Sequence, residues 1–305
     1  MTISKCMLPL LFAAGVWVSG GAAHAQSAAA PSATLAKISE YGAIYVGHRE
    51  SSIPFSYLDA DGQVIGYSAE LCRHVTDAVK RALNRPDLAV VPVPVTSSSR
   101  QMMLEAGTID LECGSTTNTE QRQRYVGFAV TTFVAGVKAL VKKDSGIRSL
   151  KDMKGKTVVT SSGTTSDAYL KAAALRQGVL PNYRVGRDHD DSLRQVLRGD
   201  ADVMVLDDVL LQGLLINVPE ADRFKLVVLE ESYANEPYGL MLRRNDPAFK
   251  KLVDDTLIAL MKRGELTRIY ERWFTSPIPP AGGNLNLPMG ELLKQLLVTP
   301  NDRGV

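Results

Sequence analysis

Short runs of apolar and β-branched residues alternate along the chain with amphipathic segments, beginning at Ala43. The first such runs lie at 43–47, 55–58, 88–95 and 109–113, and helical patterns lie at 68–83 and 100–106. At 68–83 the apolar residues recur every three or four positions, which is typical of a helix with one buried face. This alternation predicts an α/β fold in which helices cover a central sheet.

A second series of strands and helices runs from Lys156 to Glu230. Its strands are predicted at 157–160, 183–185, 201–206 and 224–229, and its helices at 166–175, 192–197 and 209–216. A final strand at 238–242 and a helical pattern at 249–261 cannot form a domain alone, so we expect them to pack on the first series. The chain then crosses between two lobes near 133–137 and 232–238, which predicts a hinge.

These patterns predict a division of the chain into a leader, two lobes and a tail. The ranges are 1–25 for the leader, 34–134 with 236–275 for lobe 1, 135–235 for lobe 2 and 276–305 for a C-terminal extension. Two lobes are expected because the chain without its leader exceeds one typical domain of about 100–150 residues. The extension is rich in proline and glycine and ends in a helical pattern at 289–297.

The N-terminus has the order of features found in secretory signal peptides. Lys5 precedes an apolar run from Met7 to Val18, and Ala23-His24-Ala25 follows. The run is shorter than the roughly 20 residues that span a bilayer. We therefore expect cleavage after Ala25 and a soluble periplasmic protein, the alternative being an N-terminal core helix. Cys6 precedes the run and is misplaced for a lipid-modified mature N-terminus.

Charge excludes two classes of partner. The chain has 35 Lys and Arg and 33 Asp and Glu residues. Residues 1–25 contain one lysine and no acidic residue, so the processed chain carries a formal charge of +1. This near-balance gives no electrostatic case for nucleic acid or an anionic membrane as partner.

The cysteines and histidines predict neither a metal nor a cofactor. Cys72 and Cys113 remain after processing, and an oxidising compartment permits a disulfide. Because Cys72 lies in a helical pattern and Cys113 at the end of a strand, we expect buried free thiols rather than a bridge. The histidines at 48, 74 and 189 lie far apart and lack the spacing of zinc ligands.

Polar residues cluster where four predicted strands end. The clusters lie at 47–51, 96–100, 114–122 and 161–166. In open α/β sheets ligands bind beyond the carboxyl ends of the strands, and hydroxyls with free amides there favour an anion. The alternative is that Ser97, Thr119 and Thr165 are only helix N-caps.

Three further residues could contribute to such a site. The guanidinium of Arg122 could hold a carboxylate by two charge-assisted bonds. Asp207 and Asp208 end a strand, and adjacent residues of a strand point to opposite faces, so we expect one of them in the crevice. His189 has the surroundings of a solvated loop histidine. No nucleophile elbow is present, which favours binding without turnover.

Five segments together resemble the periplasmic glutamate/aspartate-binding proteins of ABC importers, within the family-3 amino-acid-binding proteins. They are GHRESSIPFSY at 47–57, ECGSTTN at 112–118, SSGTTS at 161–166, LDDV at 206–209 and PIPP at 277–280. The resemblance covers nearly all of the chain after residue 25. It implies the type II periplasmic-binding-protein fold, with two α/β lobes joined by a two-strand hinge.

The resemblance also implies a role for each site residue. Arg122, Thr117 and Thr165 match positions that hold the α-carboxylate of the ligand. Asp207 and Ser115 match those that hold the α-ammonium, and Arg49, Ser97, Arg100 and His189 match those that read a side-chain carboxylate. Two positions depart from relatives: Gln121 stands where Glu is frequent, and Leu240 where some relatives have a cysteine that would pair with Cys113.

The expected function is therefore capture of L-glutamate or L-aspartate by hinge closure and delivery to a membrane permease, by a monomer that is not an enzyme. Three arginines against Asp207 give the site a charge of +2, which suits two carboxylates and one ammonium. The alternatives are an exported enzyme similar to cyclohexadienyl dehydratases, which share this fold, and a soluble sensor that docks a receptor. The sequence does not separate a permease from a receptor as partner.

Overall fold

The computed structural model describes residues 1–2 and 31–305. The predicted signal peptide, including Cys6, lies outside the described residues except for its first two positions. Within the described part, no helix combines the length and the apolar composition that crossing a membrane requires.

Helices of the described part follow the expected alternation. They are α1 (Ala33–Tyr41), α2 (Tyr67–Ala82), α3 (Arg100–Glu105), α4 (Glu120–Gln123), α5 (Ser166–Gln177), α6 (His189–Arg198), α7 (Asp208–Ile216), α8 (Glu220–Arg223), α9 (Pro247–Lys262), α10 (Glu265–Phe274) and α11 (Glu291–Val298), with a 3-10 helix at Leu150–Met153. The short helix α4 begins at its N-cap Thr119, whose hydroxyl accepts a hydrogen bond from the Arg122 amide at 3.1 Å. The N-cap alternative is therefore correct for Thr119.

Strands fall into two large sheets and one small one. They are β1 (Ala43–His48), β2 (Ser51–Ser52), β3 (Ser56–Leu58), β4 (Val64–Ile65), β5 (Ala89–Pro94), β6 (Leu111–Glu112), β7 (Val126–Phe128), β8 (Phe133–Lys142), β9 (Thr157–Ser161), β10 (Asn182–Gly186), β11 (Val203–Asp207), β12 (Leu226–Val228), β13 (Asn235–Tyr238) and β14 (Met241–Arg243). Strands β2, β3 and β4 form the small antiparallel sheet.

The sheet of the first lobe has the order β5-β1-β6-β14-β7. Strands β5, β1 and β6 are parallel, and Gly47 is aligned with both Val93 and Glu112. The segments that follow these three strands therefore leave the sheet at the same edge, where the polar clusters at 47–51, 96–100 and 114–122 lie.

The sheet of the second lobe has the order β10-β9-β11-β8-β12, with β13 paired to the first part of β8. Strands β10, β9 and β11 are parallel, and β8 runs antiparallel to β11 and β12. Ser161 and Asp207 end β9 and β11, so both lie at the edge that faces the first lobe.

Two antiparallel strands connect the lobes. Phe133 to Gly136 of β8 pair with Tyr238 to Asn235 of β13, and the rest of β8 continues into the second sheet. This confirms the two predicted crossings and the two-strand hinge. The lobe boundaries predicted at 134/135 and 235/236 fall inside these strands and stay a prediction.

The strand predicted at 238–242 is two strands, which corrects the sequence reading. Strand β13 ends in the hinge at Tyr238 and β14 starts in the first sheet at Met241. Gly239 lies at the break, where an added Cβ would come within 2.9 Å of the Ala129 carbonyl oxygen. The close approach of these backbones redirects the chain from the hinge into the sheet.

Helix α10 packs on the start of hinge strand β8, and the tail packs on α9. Tyr270 and Phe274 of α10 stack on Phe133 of β8, with ring centroids 6.1 and 4.9 Å from it. In the tail, α11 packs on α9 through the buried Leu293. The helix of the C-terminal extension thus packs on the first lobe.

Cys72 of α2 and Cys113 after β6 form a disulfide, with their Cα atoms 6.2 Å apart. The expectation of free thiols is therefore wrong. Both cysteines are buried, and α2 turns Cys72 toward the end of β6. The sequence indicated the helix and the strand but not which face of the helix meets the strand end.

Candidate functional site

The strand ends of the two lobes meet around a small, nearly closed cavity of about 10 Å³. Seven residues predicted as ligand contacts line this cavity: Ser97, Arg100, Ser115, Thr117, Thr165, His189 and Asp207. The structure therefore brings together residues from both lobes that lie more than 100 positions apart. Arg49 and Arg122, the other two predicted contacts, adjoin the same space.

Arg100 is fixed at the start of α3 and is 3% exposed. Its Nη1 donates to the Ser115 carbonyl at 3.1 Å and to Thr116 Oγ1, and it lies 3.8 Å from Glu112 Oε1. Burial lowers the pKa of Arg100, and the nearby Glu112 carboxylate opposes this shift. Glu112 thus orients the guanidinium and partly neutralises it.

Arg49 lies near Arg100 and is 4% exposed. Burial, together with the nearby charge of Arg100, lowers the pKa of Arg49 to about 9. Its Nη1 has no hydrogen-bond partner within residues 31–305. Gly114 makes room for this side chain, since a Cβ there would come within 2.8 Å of Arg49 Cγ.

His189 is the first residue of α6 and is 2% exposed, so the interpretation as a solvated loop histidine is wrong. Asp188 caps the helix by accepting a hydrogen bond from the Asp191 amide, and this extends α6 to His189. Burial and the charges of Arg49 and Arg100 hold the pKa of His189 well below its usual value. The imidazole is therefore neutral at neutral pH. Its Nδ1 lies 3.0 Å from Ser161 Oγ.

Arg122 bridges the lobes. Its guanidinium donates to the carbonyl of Thr117 at 2.9 Å and to that of Gly163, in the second lobe, at 3.1 Å. Burial lowers the pKa of Arg122 to about 10. This side chain lines an adjoining cavity that it shares with Thr165 and Tyr169.

Two hydroxyls meet between the lobes beside Arg122. Thr117 Oγ1 and Thr165 Oγ1 lie 3.4 Å apart. Thr165 precedes α5 but makes no side-chain cap bond, and Ser97 is not an N-cap because α3 begins three residues later. The N-cap alternative is therefore wrong for Ser97, and the Thr165 hydroxyl faces the first lobe.

Asp207 enters the site and Asp208 does not, which confirms that one of the pair faces the crevice. Asp207 is 4% exposed and accepts a hydrogen bond from the Tyr238 hydroxyl. Asp208 instead accepts from the Gly136 amide of the hinge at 3.1 Å. Burial, with the nearby Glu236 carboxyl second, raises the pKa of Asp207 well above its usual value.

Sequence reasoning missed Glu112 and Glu236, which are both fully buried beside the arginines. The charge of +2 assigned to the site omits these two carboxyl groups and is therefore incomplete. A signal was available for Glu236. It lies two residues before the apolar Tyr238 in a predicted crossing strand, so strand periodicity places both side chains on one face.

Within the described residues, no group of three or more His, Cys, Asp and Glu side chains is placed to hold a metal ion. The side chains that meet in the cleft are guanidinium groups, hydroxyls, a neutral imidazole and carboxyl groups. Guanidinium and hydroxyl donors bind carboxylates, and a carboxylate binds an ammonium. The arrangement therefore fits a small ligand with groups of both signs.

Solved structures that resemble this chain include amino-acid-binding proteins. A mutant of ArgBP from T. maritima is 26% identical, with a TM-score of 0.68, over 79% of this chain and 99% of that one. AncCDT-1, an ancestral amino-acid-binding protein and a precursor of cyclohexadienyl dehydratase, is 27% identical, with a TM-score of 0.67, over 79% and 99%. These likenesses confirm the predicted two-lobe fold.

Two curated relatives match most of the chain. The glutamate/aspartate import solute-binding protein of Salmonella typhimurium is 43% identical over 94% of this chain and 95% of its own length. The L-glutamate/L-aspartate-binding protein of Pseudomonas aeruginosa is 44% identical over 88% and 89%. Residues 44–276 match the bacterial extracellular solute-binding proteins, family 3. With its two-lobe fold and its polar cleft, the chain belongs to this family.

Proposed function

We propose that this protein captures L-glutamate or L-aspartate between its lobes and delivers the amino acid to the permease of an ABC importer. The observation that carries the proposal is the pair of buried guanidinium groups of Arg49 and Arg100 beside the neutral His189. These groups add a second anion-binding region to the one around Arg122. Relatives that are 43–44% identical carry the same ligands in their names.

The proposed contacts divide into a clamp and a side-chain region. Arg122, Thr117 and Thr165 hold the α-carboxylate, Asp207 and Ser115 hold the α-ammonium, and Arg49, Ser97, Arg100 and His189 hold the side-chain carboxylate. Three atoms support this assignment because they are buried without a partner within the described chain: Arg49 Nη1, Ser115 Oγ and His189 Nε2. Buried polar atoms are normally satisfied, so these atoms are suited to a ligand.

The proposed location is the periplasm, after cleavage following Ala25. The family of extracellular solute-binding proteins and the signal-peptide pattern of residues 1–25 support it. We further propose that the protein works as a monomer and that lobe 1 comprises 34–134 and 236–275, lobe 2 comprises 135–235, and the extension comprises 276–305.

An exported dehydratase is the second candidate, because the buried carboxyl pair of Asp207 and Glu236 could hold a proton for a leaving hydroxyl. The curated relatives are binding proteins, and AncCDT-1 is itself an amino-acid-binding protein that preceded an enzyme. We therefore propose binding without turnover. Conversion of prephenate by the purified protein would favour the enzyme instead.

Thermal unfolding with added amino acids tests the proposal. L-glutamate or L-aspartate at about 100 times its dissociation constant should add about 2.7 kcal/mol to the free energy of unfolding. L-leucine and L-arginine serve as controls and should leave the melting temperature unchanged, because neither places a carboxylate near Arg49 and Arg100. A shift with leucine equal to that with glutamate would contradict the acidic assignment.

A further inference from the structure

Glu236 lies on the hinge strand β13, two residues before Tyr238, and is 0% exposed. Its polar neighbours are Thr117 of the first lobe and Thr165 and Asp207 of the second. Neither carboxylate oxygen of Glu236 makes a hydrogen bond of good geometry with any part of residues 31–305. Within the described residues, a buried acid without a hydrogen-bond partner thus lies beside three residues of the proposed ligand site.

Charged and titratable groups face Glu236 from each surrounding element. They are Arg100 of α3, Arg122 of α4, Tyr169 of α5, Asp207 of β11 and, on its own strand, Tyr238. Burial raises the pKa of Glu236, and Thr165, Asp207 and Arg122 oppose the shift. Two carboxyl groups held together in a buried site keep one proton between them, because two negative charges would repel each other without water to screen them.

The charge balance of the closed site also favours one proton on the pair formed by Asp207 and Glu236. Arg49, Arg100 and Arg122 carry three positive charges, and Glu112 carries one negative charge beside Arg100. With Asp207 and Glu236 both ionised, the site would be neutral, and an acidic amino acid would bring an uncompensated negative charge. With one proton on the pair, the site carries +1 and balances the ligand's net charge of −1.

We propose that Glu236 is a further ligand-binding residue and that it shares one proton with Asp207 when the lobes close on an acidic amino acid, so that capture takes up a proton from solvent. The inference rests on the proposed function, since it requires a ligand with two carboxylates and one ammonium. In the open cleft, water stabilises both ionised carboxylates. Closure removes that water, and the shared proton leaves one negative charge to meet the α-ammonium.

The sign of the pH dependence follows from this exchange. The pair binds a proton more tightly in the closed, liganded state than in the open state, so affinity is highest at low pH. As the pH rises between the two pKa values, affinity falls by up to about tenfold per pH unit and then levels off. This direction is opposite to that expected if the ligand displaced a proton from the pair.

Calorimetry of L-glutamate binding between about pH 5.5 and 8.5 tests the inference, because the ligand's carboxylates stay ionised in this range. Each titration is repeated in two buffers with different ionisation enthalpies, and the difference in binding enthalpy gives the number of protons taken up. We expect uptake approaching one proton per ligand, with affinity falling as the pH rises. Binding at constant affinity without uptake would overturn the inference but leave the proposed function intact.

A matched pair of variants tests whether the proton taken up depends on Glu236. Glu236→Gln keeps the shape of the side chain but cannot titrate, so both the buffer dependence and the pH slope should disappear. Asp208→Asn removes a half-buried carboxyl one residue from Asp207 that contacts Gly136 instead, and both effects should persist. Persistence in Glu236→Gln would overturn the inference.

Two other outcomes are also decisive. If Glu236→Gln does not fold, the proton count of the unmodified protein still decides between uptake and none. Failure of both glutamate and aspartate to bind at any pH would overturn the proposed function, and the inference with it.

Discussion

At the scale of single residues, the site combines the buried Arg49 and Arg100 and the half-buried Arg122 with a histidine that is kept neutral. Burial and, after it, the charges of Arg49 and Arg100 lower the pKa of His189, so the imidazole can act as a hydrogen-bond partner without adding positive charge. Glu112 contacts Arg100 from behind and fixes its orientation. The guanidinium groups therefore stay charged in a buried place, where a carboxylate of the ligand can complete their hydrogen bonds.

Replacement of Arg100 by methionine tests the proposed contacts to the ligand's side-chain carboxylate separately from those to its α-amino and α-carboxylate groups. Methionine keeps much of the apolar stem, and the ligand's second carboxylate loses a charge-assisted partner worth about 1.5–3 kcal/mol. Glutamine lacks that charge and should lose less affinity than glutamate. We therefore expect calorimetry to show a smaller glutamate-to-glutamine affinity ratio for Arg100→Met, and the same direction for Arg49→Met.

The exposed Arg124 provides the control for these two substitutions. Arg124→Met makes the same chemical change outside the cleft and should leave the ratio unaltered. An equal loss of both ligands in Arg100→Met would mean that this arginine acts on closure or on the α-carboxylate.

At the scale of elements, the sequence predicted most strands and helices but not their mutual orientation. Periodicity located α2 and β6, yet the disulfide between Cys72 and Cys113 depends on which face of α2 meets β6. The strand 238–242 was misread because its break at Gly239 results from packing against Ala129, a contact distant in sequence. His189 was misplaced because the cap at Asp188 was not recognised. The type of each element could be predicted from residues close in sequence. The errors arose where such a local signal was overlooked or where contacts distant in sequence determined the structure.

The C-terminal segment supports the element that carries Arg122. Val305 exchanges backbone hydrogen bonds with this region, accepting from the Glu120 amide and donating to the Asn118 carbonyl, both at 3.1 Å. The Asp302 carbonyl accepts from the side chains of Asn118 and Gln123 at 2.8 and 3.0 Å. The end of the chain thus holds the start of α4 in place.

Deletion of residues 301–305 should therefore weaken ligand binding while the fold persists. Each lost hydrogen bond is worth about 0.5–1.5 kcal/mol, and part of this loss should appear as a several-fold lower affinity for glutamate. Asp302→Asn is the matched control, since it removes the ion pair with Lys250 but keeps the backbone carbonyl. Calorimetry measures the affinity for glutamate, and circular dichroism checks that the fold persists. An unchanged affinity in the deletion variant would show that α4 needs no support from the tail.

At the scale of the whole molecule, function depends on how closely the lobes approach. The sequence predicted two lobes and a hinge from the return of the chain after residue 235, and seven of the nine predicted contacts line one cavity. Strand periodicity places Glu236 on the same face of β13 as Tyr238, but its position beside Asp207 follows only from the placement of the hinge strand between the lobes. The residues that line the cavity were thus more predictable than the buried residue of the hinge strand.

A close approach between the lobes at Gly163 provides a test of closure that changes no side chain proposed to bind the ligand. Gly163 has a φ of +73°, and a Cβ at this position would lie 2.5 Å from the Ser98 amide nitrogen in the first lobe. Gly155 has the same φ but nothing within 4 Å of such a Cβ.

Alanine at either position carries the strain of a left-handed backbone, about 1–2 kcal/mol, in both open and closed states. Only Gly163→Ala adds a collision between lobes, and overpacking of this kind costs about 1–3 kcal/mol. We therefore expect similar losses of ligand-free stability in the two variants, but a glutamate affinity roughly 5- to 150-fold lower in Gly163→Ala alone. Small-angle scattering should show a smaller ligand-induced compaction for Gly163→Ala. Equal glutamate affinities in the two variants would mean that the ligand is held without the lobes meeting at Gly163.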